Sequence, residues 1–496
     1  MNDYRNLGGQ ALIYGLGNVV PRILNYAVLT VYYTRRFSVK EYGIITELYA
    51  YVAIFMVLLT YGMETGLFKF STSYKNRNIV YTTAFISVSI TSAVFVVVVQ
   101  LLKDDISSWI GYGDNPEYIL YLALALALDA VSAIVFAKLR IENKVRRFAI
   151  LKIVNVLVTV FFVFLFLEIL PSVNTFSVTR WYILHMKNIE VGYVFIANVL
   201  ASLFVLLLLL YDIKSVALKF DFKLYRSLLL YSLPLLIAGL AGIFNETVDR
   251  ILMRIFTAGN LNSLYELGIY GANYRIAVLM TIFIQMFRYA AEPFFFNMYK
   301  KEEAKKIYAN VLKYFTIFLM TVFLCVALGI DVFKYFIDKD YYEGLSIVPV
   351  VLLANVLLGL LFNVNMWYKL TGHTSFGVYI TVVGAIITIL LNVLLIPRYS
   401  YHACAWIHLL SNMIMLVLAY IMGQKYYKID YDLKSIFAYI GLALCLYWIA
   451  SILRTENIFL NLGTAIIFVT IYLIYCNKRE KILKIFFSRY ENQNSQ

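Results

Sequence analysis

Residues 79–102 read IVYTTAFISVSITSAVFVVVVQLL, an uncharged run of 24 residues. An α-helix needs about 20 mostly apolar residues to cross the roughly 30 Å hydrocarbon core of a bilayer, because lipid offers no hydrogen-bond partner to an unsatisfied backbone group. This segment therefore predicts a transmembrane helix.

Similar runs follow one another along almost the whole chain of 496 residues, of which 62% are hydrophobic and 15% charged. Soluble domains are only about half apolar, so this composition predicts an all-α integral membrane protein without a separate soluble domain. About 14 transmembrane helices are predicted. Their ranges are 7–33, 43–68, 79–102, 118–137, 148–170, 191–211, 227–253, 268–292, 309–330, 345–368, 376–396, 402–423, 435–453 and 460–477.

The net charge of +14 arises largely from Lys and Arg in the loops between these spans. If the N-terminus is cytoplasmic, the cytoplasmic segments hold more than twice as many of these residues as the external segments. Examples are Lys138, Arg140, Lys300 and Lys301. By the positive-inside rule this asymmetry places both termini in the cytoplasm. We interpret the basic residues as orientation signals and contacts to anionic membrane lipids, and expect no binding to nucleic acid.

Sequence motifs for catalysis, metals and nucleotides are absent. The four cysteines form no C-x-x-C pair, the four histidines form no H-E-x-x-H, and there is no G-x-S-x-G elbow. No Gly-Lys dipeptide occurs, so the chain lacks a P-loop for ATP. We therefore expect no enzyme activity, no catalytic residue, no metal and no cofactor. A membrane polysaccharide polymerase is an alternative, but its chemistry calls for a large external loop, and the longest one, 171–190, has 20 residues.

A short internal repeat suggests two similar halves. Residues 41–44 (Glu-Tyr-Gly-Ile) open the second span and residues 266–269 (Glu-Leu-Gly-Ile) open the eighth, and Tyr49 and Tyr274 match at the same offset. Six spans separate the copies, and an even number leaves both halves in the same orientation, as in transporters built from parallel repeats. The predicted domains are an N-lobe of six spans (1–211), a C-lobe of six spans (212–423), a C-terminal helix pair (424–477) and a basic cytoplasmic tail (478–496).

Four segments together resemble bacterial polysaccharide flippases of the multidrug/oligosaccharidyl-lipid/polysaccharide exporter superfamily, the translocases of O-antigen and capsule repeat units. They are residues 41–43 (Glu-Tyr-Gly), 245–250 (Asn-Glu-Thr-Val-Asp-Arg), 266–270 (Glu-Leu-Gly-Ile-Tyr) and 392–399 (Asn-Val-Leu-Leu-Ile-Pro-Arg-Tyr). The chain departs from the family at residues 400–405, where Ser-Tyr-His-Ala-Cys-Ala replaces a common Gly-x-x-Gly-Ala-Ala run. This departure questions the local packing of the twelfth span rather than the fold.

The resemblance implies two lobes around a central cavity that opens to one leaflet at a time. It also implies that the protein moves an undecaprenyl-diphosphate-linked oligosaccharide outward across the bacterial cytoplasmic (inner) membrane. A functional monomer is expected, with other polysaccharide-assembly membrane proteins as further partners. The closest transport alternative is an ion-coupled multidrug exporter of the same superfamily, for which unpaired acids in the cavity and twelve spans are typical.

Charged side chains within the spans are the candidate site, because each costs roughly 2.5–3.5 kcal/mol at the centre of a spanning helix unless it has a partner, water or a ligand. Arg22 and Arg275 have no acid within one helical turn, which favours binding of an anion. Arg250 follows Glu246 by one turn and Arg288 precedes Glu292 by one turn, so an internal ion pair and a substrate contact both remain open. An arginine fork can bind phosphate oxygens in pairs.

Three acids of the first lobe, Glu47, Glu64 and Asp129, have no basic residue three or four positions away. They either pair with arginines of other helices or bind a coupling proton or sodium ion. The same two roles are open for Glu246 and Asp249 of the seventh span. The membrane potential is a further source of energy, because moving a dianion outward gains about 4–5 kcal/mol per 100 mV. The sequence does not distinguish these forms of coupling.

Two prolines lie inside predicted spans, Pro21 in the first and Pro234 in the seventh. Each removes a hydrogen bond from the helical ladder. They are candidate bends for alternating access, and a static kink fits equally well.

Overall fold

The computed structural model describes residues 19–74, 76–172, 191–213, 219–256, 262–299 and 301–481. In these ranges every regular element is helical, which confirms the predicted all-α class. The longer helices are α1 (Val31–Arg36), α2 (Val39–Thr60), α3 (Met63–Ser73), α4 (Arg77–Trp109), α5 (Glu117–Ile141), α6 (Val145–Phe164), α7 (Gly192–Ile213), α8 (Phe222–Phe256), α9 (Ser263–Met298), α10 (Ala304–Leu328), α11 (Val348–Val364), α12 (Ser375–Tyr426), α13 (Leu433–Ile452) and α14 (Ile458–Glu480).

Twelve helical segments of the described ranges are long and apolar enough to cross a membrane. They match the second to the fourteenth predicted span, with the eleventh and twelfth merged in α12, and most helices extend a few residues beyond the apolar run. The first span begins among residues 7–18, which lie outside the described ranges. The total of fourteen therefore stays a prediction.

Helix α12 is divided by Ser400, whose φ of 48° and ψ of −134° are not helical. This break lies between the predicted spans 376–396 and 402–423. Positive φ favours glycine, because a Cβ atom clashes with the backbone there. Ser400 occupies the position at which the resembling family commonly has glycine, so this chain keeps the turn and carries the steric cost of a side chain.

Ser400→Gly is therefore expected to stabilise the protein. Glycine relieves the backbone strain of this conformation, which costs about 1–3 kcal/mol for a residue with a side chain. This gain exceeds the entropic cost of glycine, about 0.5–1 kcal/mol. Thermal unfolding of the purified protein in detergent measures the change. Ser227→Gly, in the regular helix α8, is the matched control and should lower the melting temperature. A melting temperature that falls as much for Ser400→Gly as for the control would contradict this interpretation.

Contacts between loops agree with the predicted alternation of sides. Arg147 Nε lies 2.8 Å from Asp212 Oδ2, and Lys138 Nζ donates to the Asp212 carbonyl at 2.6 Å. These contacts join two segments that the charge count places in the cytoplasm, 138–147 and 212–226. Because segments in contact at their ends must lie on one side of the membrane, these two segments lie on the same side. Which side is cytoplasmic stays a prediction.

The chain divides into two compact units, Met1–Gly268 and Ile269–Gln496. In the first unit, α2 to α5 and α8 share an apolar core that includes Met63, Val80, Ala130 and Leu228, all fully buried. Helix α8 lies in the first unit, whereas the repeat assigns it to the predicted C-lobe (212–423). The two units are therefore a different division of the chain, and the predicted lobe limits stay a prediction. In the second unit, α10 packs against α11, α13 and α14.

The C-terminal helices α13 and α14 are fixed to α10 at one end by Lys313, whose Nζ lies 2.7 Å from Glu480 Oε2. At the other end Asp331, just after α10, lies 2.8 Å from Arg454 Nη2 and accepts a hydrogen bond from Asn461 at 2.9 Å. Burial acts to raise the pKa of Asp331, but the hydrogen bonds from Lys334 and Asn461 and the charge of Arg454 outweigh it and lower the pKa. The carboxylate therefore stays ionised, and the predicted helix pair is held by charge at both ends.

Candidate functional site: charged groups within the helices

The two copies of the repeated motif meet where α2 and α9 begin to cross. A Cβ atom on Gly43 would lie 2.0 Å from the Leu264 carbonyl oxygen, and a Cβ atom on Gly268 would lie 2.0 Å from the Val39 carbonyl oxygen. Each oxygen belongs to the residue four positions before the opposite glycine. The contact is thus reciprocal, and it requires glycine on both sides because the backbones touch. This geometry gives the short sequence repeat a physical reason.

One turn after Gly43, the buried Glu47 carboxylate takes two partners from other parts of the first unit. Tyr112 donates its hydroxyl to Glu47 Oε2, and Arg254 Nε lies 3.6 Å from the same oxygen. Arg254 also donates to Ser263 Oγ. Of the two alternatives for Glu47, the structure supports pairing with an arginine of another helix. Tyr112 and Arg254 lie in two segments that are predicted to be external, and they meet at this cluster.

Tyr112 lies in the loop between α4 and α5. Burial and the adjacent Glu47 carboxylate raise the pKa of its hydroxyl well above the ordinary value, so it keeps its proton and acts as a donor. The second carboxylate oxygen, Glu47 Oε1, is buried and accepts no hydrogen bond from any residue of the described ranges. The cluster therefore depends on a single oxygen for its two contacts.

Glu64 and Asp129 share a cation that is not among the sequence-predicted site residues. Lys152, on α6, interacts electrostatically with both carboxylates, and its Nζ lies 4.3 Å from the centre of the Phe136 ring. These charged groups come from α3, α5 and α6 of the first unit.

The second predicted span is broken at Tyr61 and Gly62, both in left-handed conformations. The break packs against α8, where Ser232 Oγ donates to the Gly62 carbonyl at 3.3 Å, two residues before Pro234. Glu64 lies in the first turn of α3, directly after the break. A predicted bend, Pro234, thus lies two residues from the contact that α8 makes with an interruption that was not predicted from the sequence.

Arg22 is exposed and lies on the first span, next to the buried Pro21. Six residues of π-helix, Asn25–Thr30, follow it, so this span widens directly beside the arginine. Such turns often occur at functional sites. Within the described ranges no carboxylate oxygen lies within 4.0 Å of its guanidinium. An exposed guanidinium on a spanning helix needs water, a headgroup or an anion.

Arg250 bonds to Glu246 through the main chain. Its Nη1 donates to the Glu246 carbonyl oxygen at 3.2 Å, while the Glu246 side chain is exposed. Asp249 is buried, and its Oδ1 accepts from the Arg250 amide at 2.9 Å. The i, i+4 spacing placed Arg250 beside Glu246, and the guanidinium meets the carbonyl oxygen of that residue.

In the second unit, Arg275 is half-buried on α9 and has interaction partners within the protein. Arg288, further along the same helix, is exposed and stacks over the Phe362 ring, 5.0 Å from its centre. Glu292, one turn later, pairs with Lys369 at 2.7 Å. The acid that was considered as a local partner of Arg288 therefore has another cation.

Two cations of the first unit were missed because of their positions. Lys152 lies near the cytoplasmic end of the predicted span 148–170, close to the basic loop before it, whereas Arg254 is the first residue after the predicted span 227–253. Counting Lys152 as an interior charge would have indicated a cation for the unpaired acids. Nothing in the local sequence connects Arg254 with Glu47.

A model of the polysaccharide biosynthesis protein family matches residues 7–299. The chain belongs to this family. An Lsg locus protein of Haemophilus influenzae is a relative of this family member, 20% identical over 299 residues that cover 59% of this chain and 67% of that protein.

Solved structures share the fold of this polysaccharide biosynthesis family member. The lipid II flippase MurJ in an inward closed conformation superposes with a TM-score of 0.73 at 14% identity, covering 95% of this chain and 99% of that one. An inward-facing multidrug transporter of the same superfamily superposes with a TM-score of 0.61 at 12% identity, covering 83% of this chain and 94% of that one. The predicted superfamily fold is confirmed, and the protein is a multi-pass protein of the bacterial inner membrane.

Proposed function

We propose that this protein moves an undecaprenyl-diphosphate-linked oligosaccharide repeat unit from the cytoplasmic to the outer leaflet by alternating access. The diphosphate, or acidic sugars, would bind guanidinium groups carried by the spanning helices. Membership of the polysaccharide biosynthesis family supports the cargo class, and the transporter fold supports movement across the membrane. The proposed substrate is an anionic glycolipid.

The observation that carries the proposal is the exposure of Arg22 and Arg288, which lie on spanning helices and make no ion pair with another residue of the described ranges. A guanidinium stays charged at every physiological pH and can bind two phosphate oxygens at once. Arg250 and Arg275 remain candidate contacts further along the path. The proposal does not depend on either of them lacking a partner.

A multidrug exporter is the second candidate, favoured by the similar fold of such transporters. The flippase structure covers 95% of this chain and the multidrug structure 83%. The additional helices α13 and α14 are firmly attached to α10, and cationic interior residues suit an anionic cargo better than a cationic drug. We therefore favour the lipid-linked glycan, with drive from the membrane potential or from ion exchange.

Deleting the gene in its native host tests this function. We expect lipid-linked oligosaccharide to accumulate on the cytoplasmic leaflet, where reagents added to the periplasmic side do not reach it, and surface glycan to disappear. Complementation with the wild-type gene should restore both. Accumulation on the outer leaflet would instead indicate a polymerase, and unchanged glycan with increased drug sensitivity would indicate a multidrug exporter.

A further inference from the structure

Two cations of the second unit lie against one aromatic ring. The Arg288 guanidinium is 5.0 Å from the centre of the Phe362 ring, and Lys369 Nζ is 5.1 Å from the same centre. Phe362 lies near the end of α11, and Lys369 lies in the short helix Met366–Leu370 that follows. The electron density of an aromatic face attracts cations, so the ring holds both side chains close together although their charges repel each other.

In the described ranges, only one of these two cations is neutralised. Lys369 Nζ donates to Glu292 Oε1 at 2.7 Å, whereas Arg288 forms no ion pair with any residue that the structure describes. The three charged groups together leave one positive charge. That charge belongs to Arg288, whose side chain is exposed. A guanidinium in this position can bind two oxygens of a phosphate group at once.

The position of Glu292 shows why this division of charge matters. Glu292 follows Arg288 by one turn of α9, a spacing at which two side chains can reach each other. An acid that follows its cation along a helix is the weaker of the two orders for such a pair, and Lys369 reaches the carboxylate from another helix. Without Lys369, Glu292 would be available to pair with Arg288 and to occupy its guanidinium.

These charged groups lie where two predicted spans end. Arg288 and Glu292 are in the last turns of the predicted span 268–292, and Lys369 directly follows the predicted span 345–368. The charge count places both of these ends on the cytoplasmic side. A cargo that is loaded from the cytoplasmic leaflet would meet this cluster on entry.

We propose that Lys369 and Phe362 are positioning residues for Arg288, which they keep available for the diphosphate of a polyprenyl-linked cargo. Lys369 occupies the Glu292 carboxylate, and the ring of Phe362 supports the guanidinium. This inference rests on the proposed function, and it adds the residues that keep its cytoplasmic anion contact open.

The test is the binding of undecaprenyl diphosphate to the purified full chain in detergent at one fixed salt concentration, with undecaprenol as the uncharged comparison. Microscale thermophoresis gives the Kd of each variant. Arg288→Ala is expected to weaken binding of the diphosphate about tenfold or more, the usual effect of losing a hydrogen bond to a charged group. Lys369→Met is expected to weaken it about two- to fivefold, because Glu292 then competes for the guanidinium with the strength of an exposed ion pair.

The decisive result is the effect of Glu292→Gln in the Lys369→Met background. Removal of the carboxylate leaves Arg288 available again, so the Kd is expected to return to the wild-type value. Lys369→Arg keeps the charge and should also bind like the wild type. If Lys369 served only for packing, or touched the diphosphate itself, Glu292→Gln would not repair its loss.

Two controls separate this local effect from a general effect of charge. Glu302→Gln in the Lys369→Met background restores the same net charge at an exposed position just before α10, and it should not restore binding. Lys428→Met removes an exposed lysine that pairs with Asp430 at 3.7 Å, and it should bind like the wild type.

The outcomes distinguish this inference from the proposed function. A wild type that binds undecaprenyl diphosphate no more tightly than undecaprenol would contradict both. A wild type that prefers the diphosphate, together with a Lys369→Met variant that binds like the wild type or is not restored by Glu292→Gln, would overturn the inference alone.

The Phe362 ring provides a second pair of variants if Lys369→Met yields no folded protein. Phe362→Leu removes the ring and keeps an apolar side chain, and it is expected to weaken binding of the diphosphate. Phe362→Tyr keeps the ring and should bind like the wild type. Equal binding by these two variants would overturn the inference.

Discussion

Gly43→Ala and Gly268→Ala are each expected to cost about 3 kcal/mol or more, the upper range for overpacking of a tight contact. The added Cβ atom would lie 2.0 Å from a main-chain carbonyl oxygen, which no rotamer change can relieve. The two helices would have to separate to make room for it. Since the contact is reciprocal, we expect similar losses from the two substitutions and little further loss when they are combined.

The measurement is the melting temperature and the yield of monodisperse protein in detergent. Gly441→Ala and Gly463→Ala are the matched controls, because a Cβ atom added to either of these helical glycines would meet nothing within 4 Å, and alanine is the better helix former. The controls should melt at or slightly above the wild-type temperature. If Gly43→Ala or Gly268→Ala had the same melting temperature as the controls, the helix crossing would be looser than the structure indicates.

Arg22→Ala is expected to reduce glycan export at least tenfold while the protein still inserts into the membrane. A hydrogen-bonded contact with a charged group contributes about 1.5–3 kcal/mol, which corresponds to about a ten- to hundredfold change in affinity. Export is measured as surface glycan in a deletion strain carrying each variant at matched protein levels. Arg22→Lys should retain part of the activity, because it keeps the charge and loses the paired geometry.

Arg146→Ala provides the control for Arg22→Ala, since it removes an exposed arginine from the segment between the fourth and fifth spans. It should export normally. Normal export by Arg22→Ala at matched levels would remove this residue from the binding site.

The helical class and the spans were predictable because apolar length alone fixes them. The bilayer forces each backbone group into a helix, so residues 79–102 suffice to predict α4, whose observed bounds extend to Arg77 and Trp109. The motif segments were equally informative, and the predicted family is confirmed. The break at Gly62 was not predictable, because its glycine is a local signal that only packing against α8 makes decisive.

The partners of interior charges were less predictable, because ion pairs between helices depend on tertiary contacts. Local spacing suggested Glu292 for Arg288, but Lys369 takes that carboxylate from another helix. Spacing also left Glu47 open, and its cation, Arg254, lies far away in the sequence. The sequence shows which charged residues lie within the spans, but only the folded structure shows which of them pair.

The central claim is that this protein moves an anionic, diphosphate-linked glycan, and reconstitution tests it most directly. Purified protein in liposomes that contain a fluorescent undecaprenyl-diphosphate oligosaccharide should make the labelled glycan of the inner leaflet accessible to an external glycan-cleaving enzyme. In liposomes without protein, about half of the total labelled glycan, which is the part in the inner leaflet, should stay protected. Protection that is unchanged by the wild-type protein, with uptake of a cationic dye instead, would contradict the account.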